Sequence, residues 1–156
     1  MAVSLDSSVL VDILRGGKPT LMARLDAALA REEEIHISAL VVHELAFGAL
    51  VSRNPERRLL ELDALLRSIP PVEFTAEDAM VAARIRADLQ QVGRKIGGLD
   101  TLIAGQAVAR GWSIVTGNLK HFVFIHGLPV IDWSVSDQPL DQAAMVASLH
   151  RRPPKD

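Results

Sequence analysis

The residues GGLDTLIAGQAVARGWSIVTGN, at positions 97–118, give the clearest indication of the fold class of this chain. Two glycines open this stretch, small apolar residues at helical spacing follow Asp100, and Gly111 ends the predicted helix. Residues 113–116 then form a short apolar run that is typical of a buried strand. This helix and this strand are one step of an alternation that runs through the whole chain.

Short strands alternate with helices on both sides of that stretch. We predict strands at residues 3–5, 35–37, 72–74, 113–116 and 130–131. We predict helices at about residues 9–14, 19–33, 38–52, 55–69, 75–92, 100–110 and 138–149. The alternation predicts an α/β fold of three layers, α/β/α, around a central and mainly parallel sheet. The ligand crevice of such a fold lies outside the carboxyl ends of the strands.

The size and composition of the chain indicate one globular domain. A chain of 156 residues can bury a core without disulfides, and 49% hydrophobic with 23% charged residues excludes a disordered protein. We predict a single domain over residues 1–150 and a flexible tail over residues 151–156.

The chain contains no cysteine, which excludes disulfides and thiolate metal sites and fits a cytoplasmic protein. The N-terminal residues lack the basic region and the long apolar core of a signal peptide, and Asp6 and Asp12 interrupt them. No run of about 18 apolar residues occurs, so we predict no membrane-spanning helix.

The net charge of −2 argues against a large DNA-coating surface, so any contact with nucleic acid must rest on local basic clusters. The first candidate cluster consists of Arg84, Arg86, Arg94 and Lys95. The second consists of Arg53, Arg57 and Arg58. The alternative interpretation of both clusters is a solvated helix face.

Three acidic residues stand where a parallel fold can bring them together. Asp6 follows the first strand, Glu44 lies on the apolar side of the helix in SALVVHELAFGAL, and Asp100 heads the helix of the opening stretch. Each has a structural alternative: a turn residue for Asp6, a boundary residue that reaches water for Glu44, and an N-cap for Asp100. Clustered carboxylates stay ionised together only beside a cation, and such oxygen ligands suit Mg²⁺ or Mn²⁺. These ions assist the hydrolysis of phosphodiesters.

Sequence motifs of several other enzyme classes are missing. There is no P-loop, no dinucleotide-binding glycine pattern, no nucleophile elbow and no HExxH zinc motif. The histidines show no zinc-ligand spacing, so we predict surface or structural roles for His36, His43, His121, His126 and His150.

Four segments resemble the signature of PIN-domain ribonucleases, in the order found in that family: SLDSSVLVDIL, SALVVHELAFGAL, GGLDTLIAGQAVARGWSIVTGN and LKHF. Together they cover most of residues 3–132. The resemblance implies a metal-dependent ribonuclease, usually a homodimer, that leaves 5′-phosphate ends on its RNA products. It also implies a VapC-type toxin that a cognate VapB-type antitoxin holds inactive, with loops of transfer RNA or ribosomal RNA as substrates.

By matching positions, the resemblance assigns the metal-binding acids to Asp6, Glu44 and Asp100. It places Ser8 and Thr116 at hydroxyl positions that hydrogen-bond near the metals, and nearby arginines along the RNA backbone. It also places Asn118 at the position of the family's fourth acid. The amide can still ligate through its oxygen, but it removes one negative charge from the site.

Three other interpretations remain open from the sequence. The first is a PIN-like scaffold that binds a partner without catalysis, and the second is a receiver-like signalling domain. A receiver should have adjacent acids after its first strand and a lysine after a late strand, whereas here Ser7 follows Asp6 and the late strand ends in Thr116-Gly117-Asn118. The third is a PIN nuclease that is not a toxin and acts on DNA or on a particular nucleic-acid structure.

Overall fold

A computed structural model describes residues 1–150, and the tail predicted at residues 151–156 lies outside the described residues. The strands are β1 (Ala2–Leu5), β2 (Glu34–Ser38), β3 (Pro71–Val72), β4 (Ser113–Val115) and β5 (Val130–Ile131). The helices are α1 (Ser7–Arg15), α2 (Pro19–Ala30), α3 (Ala39–Leu50), α4 (Pro55–Ser68), α5 (Ala76–Gln91), α6 (Gly98–Ala109), α7 (Leu119–Phe122) and α8 (Gln142–His150). In this part of the chain no helix is both long enough and apolar enough to cross a bilayer.

The strands form one sheet in the order β3-β2-β1-β4-β5, and every neighbouring pair is parallel. Successive residues of a strand point to opposite faces of the sheet, yet Val3, Ser4 and Leu5 of β1 are all buried. Helices therefore cover both faces, as all-parallel sheets require. The predicted three-layer α/β/α architecture is confirmed.

The start of α1 differs from the prediction. We predicted this helix from about residue 9, but it begins at Ser7, and Asp6 holds the N-cap position without making a side-chain capping bond. The backbone N–H of Asp6 donates to the carbonyl of Val115 at 2.9 Å, so pairing with β4 continues for one residue beyond β1. The helix begins directly after that contact.

Near the carboxyl-terminal part of the chain, one further prediction was wrong and one helix was missed. Helix α8 begins at Gln142 and not at residue 138, because the N–H of Leu140 donates to the carbonyl of Val130 at 2.8 Å and keeps this segment against β5. Helix α7 was not predicted as a helix, since one turn is too short to show a helical period.

Close packing between α5 and α6 sets the position of the first turn of α6. A Cβ atom added to Gly105 of α6 would lie 2.4 Å from the Cβ of Ala82 on α5. No side chain fits at that distance, so glycine is required at this crossing. Asp100, in the first turn of α6, is thereby placed relative to α5 and to the sheet.

The chain changes direction across the sheet between two neighbouring strands, β1 and β4. From β1 it runs outward to β2 and β3, and it then returns to place β4 and β5 on the other side. Parallel sheets bind ligands at such a reversal, outside the carboxyl ends of the strands. Asp6 follows β1 and Thr116 follows β4, so both residues stand at this crevice.

Candidate metal centre

Asp6 is the most deeply buried of the three predicted acids, with 3% of its surface exposed. Its Oδ2 accepts hydrogen bonds from Ser8 Oγ and from Thr116 Oγ1, both at 2.7 Å. Its Oδ1 is also buried and has no hydrogen-bond partner among the residues whose side chains the structure describes. A buried carboxylate oxygen without a partner is costly, which makes this atom available to a cation.

The two predicted hydroxyl residues connect Asp6 to the turn after β4. Thr116 is fully buried, and its Oγ1 accepts a hydrogen bond from the backbone N–H of Asn118 at 2.9 Å. Ser8 Oγ accepts one from the backbone N–H of Gly117 at 3.0 Å. Each hydroxyl thus donates to Asp6 and accepts from the turn, which fixes the orientation of the Asp6 carboxylate.

Glu44 lies on α3 and is half-buried, and its Oε2 has no hydrogen-bond partner within the described residues. Burial raises the pKa of Glu44, a hydrogen bond with Ser7 opposes that rise, and the negative charges of Asp6 and Asp100 add to it. The structure therefore brings the three acids into one electrostatic neighbourhood. The alternative interpretation of Glu44, a residue at the edge of the core whose carboxylate reaches water, does not account for the buried Oε2.

Asp100 lies in the first turn of α6, where the helix dipole favours negative charge. Gly97 holds the N-cap position, and no side-chain capping bond forms at this helix start. The Oδ2 atom of Asp100 instead lies 2.5 Å from Nδ1 of His121. The capping interpretation therefore does not explain this carboxylate.

Asn118 holds the N-cap position of α7 but makes no side-chain capping bond there. Its Nδ2 lies 2.7 Å from Nδ1 of His121, so the imidazole ring stands between Asn118 and Asp100. We predicted only a surface or structural role for His121, and that prediction did not foresee its contact with Asp100. Its spacing of three residues from Asn118 was visible in the sequence, but the contact with Asp100 depends on tertiary structure.

The oxygen donors at the crevice fit a hard divalent cation. Asp6 and Glu44 each contribute a buried oxygen that has no partner among the described side chains. No group of three His, Asp or Glu side chains in that part of the chain already stands at metal-ligand spacing, so these side chains would have to draw closer around an ion. Mg²⁺ and Mn²⁺ suit such a site, since Mg²⁺ in particular binds one or two carboxylates and keeps several waters. The residues that could hold the ion are Asp6, Glu44 and Asp100, with Asn118 beside the His121 ring that contacts Asp100.

Comparisons with known proteins agree with this geometry. Residues 3–123 match the family model described as PIN domain. The tRNA(fMet)-specific endonuclease VapC of Shigella flexneri is 32% identical over 130 residues, which are 83% of this chain and 96% of that protein. Ribonuclease VapC2 of Rickettsia felis is 34% identical over 105 residues, which are 67% of this chain and 78% of that protein.

The fold agrees with a solved structure of the same kind. A chain in the crystal structure of VapBC2 from Rickettsia felis, bound to a DNA fragment from the promoter, superposes with a TM-score of 0.80 at 29% identity. The match covers 85% of this chain and 99% of that chain. These matches confirm the resemblance seen in the sequence and exclude the receiver-like interpretation. The chain therefore belongs to the PIN-domain family, in its VapC branch.

Proposed function

We propose that this chain is an endoribonuclease that depends on Mg²⁺ or Mn²⁺ and acts as the toxin of a toxin–antitoxin pair in the cytoplasm. The observation that carries the proposal is the pair of buried carboxylate oxygens on Asp6 and Glu44 without partners in the described residues. Such atoms lower stability, and sequences keep them chiefly at functional sites.

RNA is the proposed substrate class. The Shigella flexneri relative is named as an endonuclease specific for tRNA(fMet), and it aligns with 83% of this chain. Transfer RNA is therefore the first substrate to test, followed by ribosomal RNA. The single domain proposed over residues 1–150 would carry the whole activity.

Asp6, Glu44 and Asp100 are proposed to hold the cation, which when bound would activate a water and offset the charge of the phosphate. The protein prepares these acids before the cation binds. Ser8 and Thr116 set the orientation of Asp6 through their two hydrogen bonds. The amide of Asn118 lies at the same crevice, where it can contact the cation or an oxygen of the RNA backbone.

The RNA backbone is proposed to pass beside the first turn of α6, over a basic cavity of about 350 Å³. Arg86, Arg94 and Lys95 line this cavity together with Gly98 of α6. Asp100 lies in the same helical turn as Gly98, so a phosphate held in the cavity is a neighbour of the metal centre. Contacts of this kind position a nucleic acid without reading its sequence.

The second basic cluster, at residues 53, 57 and 58, is a weaker candidate for binding RNA. Arg57 and Arg58 both donate to Glu61, at 2.9 and 2.8 Å, so much of their charge is offset. By contrast, neither Arg86 nor Lys95 pairs with a carboxylate in the part of the chain that the structure describes. The comparison favours the cavity between α5 and α6.

Cleavage assays with and without metal test the central proposal. The purified protein should cut RNA with Mg²⁺ or Mn²⁺ and should not cut it in excess EDTA. Asp100→Asn should abolish cleavage with little change in the metal-free melting temperature, whereas Glu61→Gln, on α4, is the matched control and should stay active. Equal cleavage in EDTA after removal of contaminating nucleases, or full activity of Asp100→Asn, would contradict the proposal.

Salt-dependent binding tests the path of the RNA. Replacing Arg86 and Lys95 by Ala should weaken binding, and each lost phosphate contact should reduce the slope of log affinity against log salt by about 0.7 for a single strand. Arg84→Ala is the matched control, because Arg84 is exposed on α5 but does not line the cavity. Equal effects of the two substitution sets would move the RNA path away from the cavity.

An antitoxin is proposed to cover the site from one side. A groove of about 160 Å³ between α1, α3 and α4 is lined by Leu14, Leu45 and Leu62, and Glu44 lies in the same wall. An apolar peptide segment seated in this groove would cover part of the metal centre. The VapBC2 structure that superposes on this chain supports a partner of the VapB type.

Growth assays test the toxin role. Expression of this chain alone should stop growth, and expression of the Asp100→Asn form should not. A small DNA-binding protein encoded immediately upstream should restore growth when the two are expressed together. Normal growth with abundant soluble wild-type protein would contradict the toxin role but not the nuclease activity.

A homodimer is proposed through the exposed apolar end of α3. Phe47, Leu50 and Val51 are more than half exposed there, and Leu60 on the neighbouring α4 is 70% exposed. A monomer rarely leaves such a cluster in water unless it is a contact surface. Light scattering should give twice the monomer mass, and Phe47→Glu should give the monomer mass. A monomeric wild type would contradict this part of the proposal.

A further inference from the structure

His121 touches two residues of the metal centre, although it is neither an acid nor an amide. Its Nδ1 lies 2.5 Å from Oδ2 of Asp100 and 2.7 Å from Nδ2 of Asn118. The side chain of His121 is 32% exposed and that of Asp100 is 18% exposed. The ring therefore shields one side of the Asp100 carboxylate from water.

The contact with Asp100 determines which ring nitrogen of His121 carries a hydrogen. A carboxylate only accepts hydrogen bonds, so Nδ1 must be the donor. The Nδ2 group of Asn118 can only donate, so it cannot hydrogen-bond to an Nδ1 that carries a hydrogen. The amide must therefore be rotated by half a turn, with Oδ1 toward the ring, to accept from Nδ1–H. One N–H then lies between two oxygens, Oδ2 of Asp100 and Oδ1 of Asn118.

The Oδ2 atom of Asp100 is confined from two directions. His121 donates to it on one side, and on the other side the backbone of Gly97 approaches so closely that an added Cβ would lie 3.1 Å away. Among the side chains that the structure describes, His121 is the one that hydrogen-bonds to this carboxylate. Without it, nothing polar in that part of the chain would set the rotation of the Asp100 side chain.

The same arrangement occurs at the other buried ligand candidate. Ser8 and Thr116 hold Oδ2 of Asp6, and Oδ1 of Asp6 has no partner within the described part of the chain. In both aspartates a protein donor holds one oxygen, and the other oxygen is left without such a donor. A ligand that is oriented before the cation arrives binds it more tightly, because less side-chain freedom is lost on binding.

We propose that His121 is a positioning residue for Asp100: its Nδ1–H holds Oδ2, so that the second oxygen of Asp100 is presented to the divalent cation. The inference rests on the proposed function, since it concerns the same metal centre. Contacts of this kind to a metal ligand typically change metal affinity or activity about 10- to 100-fold.

Three substitutions of His121 separate this role from simple packing. In His121→Asn the amide nitrogen lies as many bonds from Cα as Nδ1 does, so the donor to Asp100 is kept. In His121→Gln the donor lies where Nε2 was, and in His121→Ala there is none. The affinity of the RNA-free protein for Mn²⁺, measured by titration calorimetry, should fall about tenfold in the Gln and Ala forms. In the Asn form it should be close to the wild-type value.

A kinetic measurement gives a second readout of the same variants. The Gln and Ala forms should need about tenfold more Mn²⁺ for half-maximal cleavage, with an unchanged KM for RNA at saturating Mn²⁺. Circular dichroism and metal-free melting should show all variants folded. If His121→Asn is no better than His121→Gln, or if none of the three changes Mn²⁺ affinity while the wild type binds the ion and cuts RNA, the positioning role is wrong. If the wild type itself neither binds Mn²⁺ nor cuts RNA, the proposed function fails as well.

Discussion

Asp6 and Asp78 are both almost completely buried, with 3% and 2% of their surfaces exposed, yet their surroundings are opposite. Asp78 accepts hydrogen bonds from Arg110, from Gln106 and from the backbone of Thr75, and both of its oxygens are used. Asp6 accepts two bonds on one oxygen and, from the described side chains and backbone, none on the other. Both oxygens of Asp78 therefore receive hydrogen bonds from the protein, whereas only one oxygen of Asp6 does.

The charges around the two aspartates explain the difference. Burial alone would raise the pKa of Asp78, but hydrogen bonds from Arg110 and Thr75 outweigh burial and hold that pKa below its ordinary value. Asp6 has no cationic partner in the described part of the chain, and its charge acts on a second acid, Glu44. A carboxylate paired with arginine joins α5 to α6, whereas the carboxylate left among acids keeps an oxygen free for the proposed cation.

The largest expected effect is on catalysis. Asp6→Asn should lower the rate of RNA cleavage by about a hundredfold or more, because a cation contributes several kcal/mol to the transition state. Asp78→Asn should leave the rate nearly unchanged in protein that remains folded. Single-turnover cleavage at saturating Mn²⁺ measures both, and equal losses of activity would break the distinction between the two aspartates.

The next effect is on the free energy of unfolding. Here substitution of Asp78 should have the larger effect and substitution of Asp6 the smaller one, the reverse of the order for catalysis. Asp78→Ala should lower the free energy of unfolding by about 2 to 3 kcal/mol, since it removes an ion pair, a cap and the partner of a buried amide. Asp6→Asn should change the metal-free value by less than about 1 kcal/mol, because no cation is lost with the charge. Urea unfolding in EDTA gives both numbers. A larger loss for Asp6→Asn than for Asp78→Ala would contradict the structural role of Asp78.

Binding of the cation should stabilise the wild-type protein and the variants that keep Asp6, but not Asp6→Asn. At a Mn²⁺ concentration a hundred times its Kd, the folded state should gain about 2.7 kcal/mol. That gain corresponds to a rise in melting temperature of about 5 to 10 °C for a chain of this size. The rise should persist in Arg84→Ala and should be absent in Asp6→Asn. A full rise in Asp6→Asn would show that the ion binds elsewhere.

The smallest effect is on the pH dependence of stability, which should have opposite signs for Glu44, beside Asp6, and for Asp78. The pKa of Glu44 is raised, so in metal-free protein its ionisation lowers stability as the pH rises above the ordinary glutamate value of 4.5. The pKa of Asp78 is lowered, so its contribution is present above the ordinary value of 3.8 and is lost as the pH falls through the folded value. Glu44→Gln should therefore be more stable than the wild type near neutral pH in EDTA, with the difference vanishing below about pH 4. A difference that grows toward low pH would contradict the assignment.

Much of the fold was predictable because its signals are local. Glycine, proline and capping residues mark where helices begin and end, and short apolar runs between them predict the strands. The position of Asp6 after β1 followed from that reading. The spacing did not predict that Ser7 lies inside α1, because the extra backbone bond from Asp6 to Val115 joins residues that are far apart in the chain.

Local sequence patterns were enough to predict the alternation of strands and helices, the parallel three-layer architecture and the carboxylates at strand and helix ends. Which carboxylates receive hydrogen bonds on both oxygens depends on contacts between distant parts of the chain. Arg110 reaches Asp78 across 32 residues and His121 reaches Asp100 across 21, and both contacts depend on how α6 packs. Local propensities carry no information about such pairs, because the energy of a buried charge is set by the donors that folding brings around it.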